Sequence, residues 1–231
     1  RLQGDWSSDV CSSDLAAALA LLCACSSGPP GRKSGTVISR AEARGLVDVT
    51  RAVPGVRVDL RYATAANVTG RPLYTRDMPC LLRRSTAVKL AAAQARLQEQ
   101  GLGLKIWDAW RPPEAHQRLH EHGARTGMFI DPVRGWSRHC GGVSVDATLV
   151  DARGRELPMP THFDENLEHA ASDTRHPDPA VRANLALLHE AMRGAGFAPL
   201  PGEWWHFDDL EFLHTPIPVI RGGDIGVPLA P

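Results

Sequence analysis

The chain carries no excess of charge of either sign: 26 lysines and arginines balance 26 aspartates and glutamates over 231 residues. A protein that binds nucleic acid through phosphates needs a basic surplus, so no nucleic-acid partner is expected and any activity must reside in a local site. No apolar run after Cys25 is long enough to cross a bilayer, which needs about 20 residues as a helix. There is no nucleotide-binding glycine-rich loop and no G-x-S-x-G elbow, so phosphate-transfer and serine-hydrolase chemistries find no support. No internal repeat appears, and strands do not alternate regularly with helices, which argues against a parallel doubly wound sheet. Cysteine is scarce: of five, three lie in the first 25 residues. Only Cys80 and Cys140 remain beyond them, either as a disulfide in an oxidising compartment or as two buried thiols.

What is present begins with an unusual N-terminus. Residues 1–15 lack apolar periodicity and turn chemistry and read as a non-native leader, set aside from fold reasoning. Residues 16–25 are apolar and too short to span a membrane, as in the core of a signal peptide. Leu22-Cys23-Ala24-Cys25 resembles a bacterial lipobox, which would make Cys25 a lipid anchor; simple secretion with cleavage nearby is the alternative, and either places the protein outside the cytoplasm, in the periplasm or cell envelope. Residues 26–36 are rich in Ser, Gly and Pro and read as a flexible linker to one domain over 37–231.

Within that domain, Val47-Asp48-Val49 and the alternating stretch 56–62 predict strands flanking a Pro54-Gly55 turn. Residues 87–97, preceded by Ser85, predict a helix, and 104–110 a strand broken by Arg111-Pro112-Pro113. A second helix follows to about His122, then a strand over 143–150, a helix over 180–194, and a closing strand pair at Phe197 and 204–207. The expected fold class is α+β: one domain with a central antiparallel sheet flanked by helices.

Two stretches carry the chemistry. Ser137-Arg138-His139-Cys140-Gly141-Gly142-Val143-Ser144-Val145-Asp146 and Glu203-Trp204-Trp205-His206 together offer two imidazoles, one carboxylate ligand and a further carboxylate. A catalytic zinc needs three such ligands, an open position and a nearby base. His139 and Asp146 are seven residues apart, an odd separation that would place them on opposite faces of an unbroken strand. Gly141-Gly142 between them allows the chain to turn. His116 and His120 have the spacing of a helical metal pair, but Gln117 stands where a zincin has its glutamate, and both read as solvated.

These motifs resemble the D-alanyl-D-alanine dipeptidases, VanX-like zinc peptidases of the M15 type with a hedgehog-like fold. The S-x-H-x6-D pattern stands at Ser137, His139 and Asp146, and E-x-W-H at Glu203, Trp205 and His206. Arg61-Tyr62-Ala63-Thr64, Asn67 with Gly70, and Trp107-Asp108-Ala109-Trp110-Arg111-Pro112 follow the family order, so the resemblance covers about 47–214. It implies one Zn2+ per chain held by His139, Asp146 and His206, with a small D-dipeptide as substrate. It also implies Glu203 as general base and Arg111 over the oxyanion, where a lost donor costs about 3–4 kcal/mol. Asp164, with Tyr62 nearby, would meet the substrate ammonium, and Ser137 its carboxylate. Cys140-Gly141-Gly142 departs from relatives that carry polar or basic residues there, and a Cys140 thiolate is a conceivable competitor for the metal. The rival readings are a D,D- or L,D-carboxypeptidase acting on peptidoglycan stem peptides, and a zinc-stabilised wall-binding module without catalysis. The module needs neither Glu203 nor Arg111.

Overall fold

The computed structural model describes residues 36–123, 128–165 and 168–231. The leader, the lipobox with Cys25, and the linker up to residue 35 lie outside these residues.

Thr36 caps the first helix, α1 (Val37–Ala43), its hydroxyl accepting from the Ser39 N–H. Strand β1 (Leu46–Asp48) follows, and Asp48 caps the short α2 (Val49–Ala52). Next come β2 (Arg57–Val58), a 3-10 turn over Arg61–Ala63, and β3 (Leu81–Arg83), which pairs antiparallel with β1. Helix α3 (Arg84–Gln98) starts directly after β3, one residue before Ser85. Strand β4 (Leu102–Asp108) and α4 (Pro113–Gly123) follow, the prolines sitting where a first helical turn has N–H groups to spare. The chain continues through β5 (Ser144–Asp151), α5 (Pro179–Gly194) capped by Asp178, β6 (Phe197–Leu200) and β7 (Glu203–Asp209), and ends in the short α6 (Gly222–Ile225).

The main sheet has the order β2-β4-β5-β7-β6. Its β4-β5, β5-β7 and β6-β7 pairs are antiparallel, as expected for the α+β class. The edge pair β2-β4 is parallel and spans only two residues. The expected strand over 56–62 is thus a two-residue edge. Beyond it the Asp59 N–H still donates to the Ile106 carbonyl, after which Leu60 leads into the 3-10 turn and buries Tyr62. Alternation alone could not show that this ladder ends so early.

The two faces of the sheet have different tasks. Val145, Ala147 and Leu149 of β5 join the apolar core together with Leu185, Leu188 and Met192 of α5 and Leu90 and Leu97 of α3. On the same side, Phe207 of β7 meets His189 of α5 at 5.4 Å, and Asp209 accepts from Thr86 and Lys89 of α3. The intervening residues of β5 and β7 therefore point to the opposite face. There the register sets Asp146 beside His206 and Ser144 beside Asp208.

Candidate active site

His139 is not on a strand. Ser137 caps a 3-10 turn over Arg138–Gly141, and Gly142 ends it at φ 70, in the left-handed region. A Cβ at Gly142 would lie 2.6 Å from Leu46 Cδ2, so packing as well as backbone conformation demands glycine. This turn removes the parity problem: His139 swings back over β5 while Asp146 points up from it. His139 Nδ1 donates to the Ala109 carbonyl at 2.7 Å, and the Arg111 N–H donates to the His139 carbonyl at 3.1 Å. With its proton held on Nδ1, His139 presents the lone pair of Nε2.

Nε2 of His139 lies 3.1 Å from His206 Nδ1 and 3.3 Å from Asp146 Oδ1, and His206 Nδ1 lies 3.0 Å from the same oxygen. Among the described residues, His139, Asp146 and His206 form the one group of three metal-capable side chains, all buried, with ligand atoms within 4.8 Å of one another. Burial opposes a charge on Asp146, yet the two imidazoles outweigh it and hold its carboxyl below the ordinary range. Burial likewise opposes protonation of His206, but Asp146 and Asp208 outweigh that and favour the cation. The cluster is thus a buried place prepared for positive charge. Its two nitrogens and one oxygen make a donor set that suits zinc, and the residues fit such an ion.

Glu203 opens β7, with Oε2 3.9 Å from His206 Nδ1 and its side chain 16% exposed. Burial raises its carboxyl above the usual value, against the pull of His206. Arg111 is buried; its Nε donates to Asp108 Oδ2 at 2.8 Å and its Nη2 lies 3.6 Å from Asp146 Oδ2. Its guanidinium stacks on Tyr62, 4.9 Å from the ring centre, rather than on either neighbouring tryptophan.

Asp164 has φ 59, making it the non-glycine residue in the left-handed region among the described residues. Its carboxylate accepts from the Tyr62 hydroxyl at 3.3 Å and the Val68 N–H at 3.2 Å, and Glu165 after it is not helical. Burial pushes its carboxyl up to about 7. Tyr62, Arg111, Ser137, Asp164 and Glu203 line, with the triad, one cavity of about 430 Å³. The structure brings together the eight residues expected from the sequence to hold metal or substrate or to act in catalysis.

Two expectations need correction or closure. His116 is buried rather than solvated: its Nε2 donates to the Ile130 carbonyl at 2.9 Å, and burial lowers its pKa to about 4. The apolar face of α4 includes it, a placement that residue type alone argues against. Cys80 and Cys140 are both free and buried, and burial pushes the Cys140 thiol up to about 12, which disfavours a thiolate there.

Sequence reasoning missed two carboxylates. Asp108 is fully buried and accepts from Arg111 Nε and, at 2.9 Å, from the Tyr74 hydroxyl. Its place in the Trp107–Pro112 motif was the available signal. Asp208 accepts from His206 Nε2 at 3.0 Å, and only the β5-β7 register reveals it.

Comparison with known proteins places the chain in a family. The Peptidase M15 family, described as D-ala-D-ala dipeptidase, matches residues 42–215. A D-alanyl-D-alanine dipeptidase of Escherichia coli K12 is 37% identical over 165 residues, covering 71% of this chain and 83% of that protein. One of Streptomyces coelicolor is 30% identical over 186 residues (72% and 92%), and one of Enterococcus faecalis 26% over 193 (75% and 94%). With the match spanning β1 to β7 and every residue of the cluster inside it, the chain belongs to the M15 family of D-Ala-D-Ala dipeptidases.

Proposed function

We propose that this protein hydrolyses the D-Ala-D-Ala dipeptide in peptidoglycan metabolism, using one zinc ion held by His139, Asp146 and His206. The observation that carries the reading is the buried triad within 4.8 Å, with Glu203 3.9 Å from one ligand and Arg111 3.6 Å from another. When bound, zinc supplies Lewis acidity to the attacking water and to the scissile carbonyl.

The protein's own groups do the rest. Glu203 takes a proton from the attacking water and returns it to the leaving amine. A carboxyl raised by burial is better matched to that exchange than an ordinary one. Arg111, fixed by Asp108 behind it and Tyr62 beneath it, holds a permanent charge toward the oxygen on which negative charge develops. Asp164 receives the substrate ammonium, and Ser137 donates to the carboxylate at the other end. A cavity of about 430 Å³ with a buried carboxyl in its wall to meet an ammonium suits a free dipeptide better than an N-blocked chain. The apolar run before residue 26 supports an exported location, which a cell-fractionation blot would test.

The deciding experiment measures D-alanine release from D-Ala-D-Ala by the zinc-loaded protein beside Glu203→Ala. Release that vanishes in the variant while zinc stays near one per chain supports the proposal. Zinc without release, together with cleavage of an N-acylated D-Ala-D-Ala, moves the assignment to a carboxypeptidase. Zinc and muropeptide binding without turnover of any substrate moves it to a binding module.

A further inference from the structure

His206 turns Nδ1 toward Asp146 and His139, 3.0 and 3.1 Å away, so Nε2 points out of the cluster. That second nitrogen meets Asp208 Oδ1 at 3.0 Å. Asp208 lies on the far side of the imidazole from the triad, so it has no place among the ligands. It is nevertheless held firmly. Its Cα partner across the sheet, the fully buried Ser144, donates a close hydrogen bond from Oγ to the same carboxylate oxygen. The second oxygen faces Arg138 Nε at 3.9 Å, and the Arg138 guanidinium is itself tied to the Phe212 and Leu213 carbonyls. A carboxylate fixed from both sides and set against one ring nitrogen decides which nitrogen carries the proton.

We infer that Asp208 is a positioning residue of the metal centre: it holds the His206 proton on Nε2, leaving the Nδ1 lone pair aimed at the ion. His139 is held in the complementary sense, with its proton on Nδ1 toward the Ala109 carbonyl and Nε2 free. The two imidazoles thus need opposite tautomers, each enforced by a different acceptor, one a backbone carbonyl and one a side chain. Only the second can be removed by substitution. Asp208 also raises the basicity of His206 as a ligand, because a carboxylate acceptor shifts electron density toward the opposite nitrogen.

The inference rests on the zinc reading above, and its test uses the full chain, with zinc affinity read by competition against a chromophoric chelator. Asp208→Ala is expected to bind zinc ~10–100-fold more weakly, and Asp208→Asn, whose amide oxygen still accepts from Nε2–H, by a smaller factor. In the zinc-loaded parent, 15N NMR is expected to show a slowly exchanging Nε2–H on His206, absent in Asp208→Ala. Melting of the metal-free proteins monitors the fold; if the alanine variant does not fold, the asparagine variant carries the comparison through its affinity and its altered Nε2–H signal. Parental zinc affinity with an unchanged Nε2–H signal in the folded variant overturns the role of Asp208 and leaves the dipeptidase proposal standing. A parent chain that takes up no zinc overturns both together.

Discussion

Replacing Asp164 by asparagine is expected to weaken catalysis and strengthen the fold, and the two signs can be worked out from its surroundings. The backbone there has φ 59, a conformation asparagine tolerates better than most residues, so the turn survives the change. Burial raises the carboxyl from its ordinary 3.8 to about 7. The unfolded chain releases this proton near the ordinary value and the folded chain near pH 7. Between the two the folded state holds the extra proton, so stability falls as pH rises through that window. The loss by pH 8 is at most about 4 kcal/mol at ~1.4 kcal/mol per tenfold. An amide escapes this penalty and can keep its oxygen on the Val68 N–H, now 3.2 Å from Oδ2, but then turns its NH2 toward the Tyr62 hydroxyl, which now donates to Oδ1 at 3.3 Å. That mismatch costs about 1–3 kcal/mol. Asp164→Asn should therefore gain about 2 kcal/mol at pH 8, an advantage that disappears below about pH 5.

Activity should move the other way. Losing the proposed charge-assisted contact to the substrate ammonium should remove about 1.5–3 kcal/mol, or ~10- to 150-fold in kcat/KM. The parent's kcat/KM should rise through about pH 7 as Asp164 ionises, and the variant should lack that limb while keeping any limb due to Glu203. Urea unfolding at pH 5 and pH 8, with D-alanine release between pH 5 and 9, reads both effects. Parental kcat/KM together with a stability difference that does not change with pH would refute the reasoning.

Further outcomes are expected at four positions. Arg111→Lys should lower kcat by ~10²–10³ with zinc still near one per chain, because an ammonium cannot satisfy Asp108 and the oxyanion from one rigid fork; steady-state kinetics beside metal analysis check it. His116, held down to about 4 by burial, should show no protonation above pH 5 in an NMR titration. Its unfolded form takes a proton near 6.5, so it contributes stability that is lost as pH falls from 6.5 toward 4, and His116→Leu should flatten that slope in acid unfolding. Gly142→Ala, with φ 70 and a Cβ 2.6 Å from Leu46 Cδ2, should lose at least ~2 kcal/mol by thermal melting. Gly202→Ala, which meets nothing within 4 Å, should change stability by less than about 0.5 kcal/mol.

The chemistry of this protein is legible where ligands sit close together in the chain or within a recognisable motif. His139, Asp146, Glu203 and His206 belong to two short stretches, and the glycines between His139 and Asp146 advertise the turn that brings them to one side. Helix α3 follows from its run of strong helix formers, α4 from the prolines at its start and α5 from apolar spacing. What the chain hides is long-range. Nothing local announces that Asp208 will face Ser144, 64 residues earlier, because register belongs to the assembled sheet. The two-residue β2 was overextended because alternation reports a half-buried surface and not how far a neighbour runs beside it. His116 was misplaced for a related reason: its solvent exposure is set by the loop around Ile130, which packs over α4 from outside that helix.

The exchange of hydrogen bonds between residues 109–111 and His139 has an evolutionary consequence. The Ala109 carbonyl grips the His139 ring while the Arg111 N–H grips the His139 backbone, so the proposed oxyanion arginine and a proposed metal ligand are parts of one rigid body. Any backbone change between Trp107 and Pro112 disturbs both functions at once, leaving that segment little room to drift. The wall opposite is different. Among the described residues, neither Tyr62 nor Asp164 shares a backbone hydrogen bond with this clamp, and Tyr62 meets it through its ring, stacked on the Arg111 guanidinium. On the proposed function, divergence in which D-dipeptides are accepted should therefore accumulate around residues 63–68 and 162–165, while the clamp stays fixed as specificity changes around it.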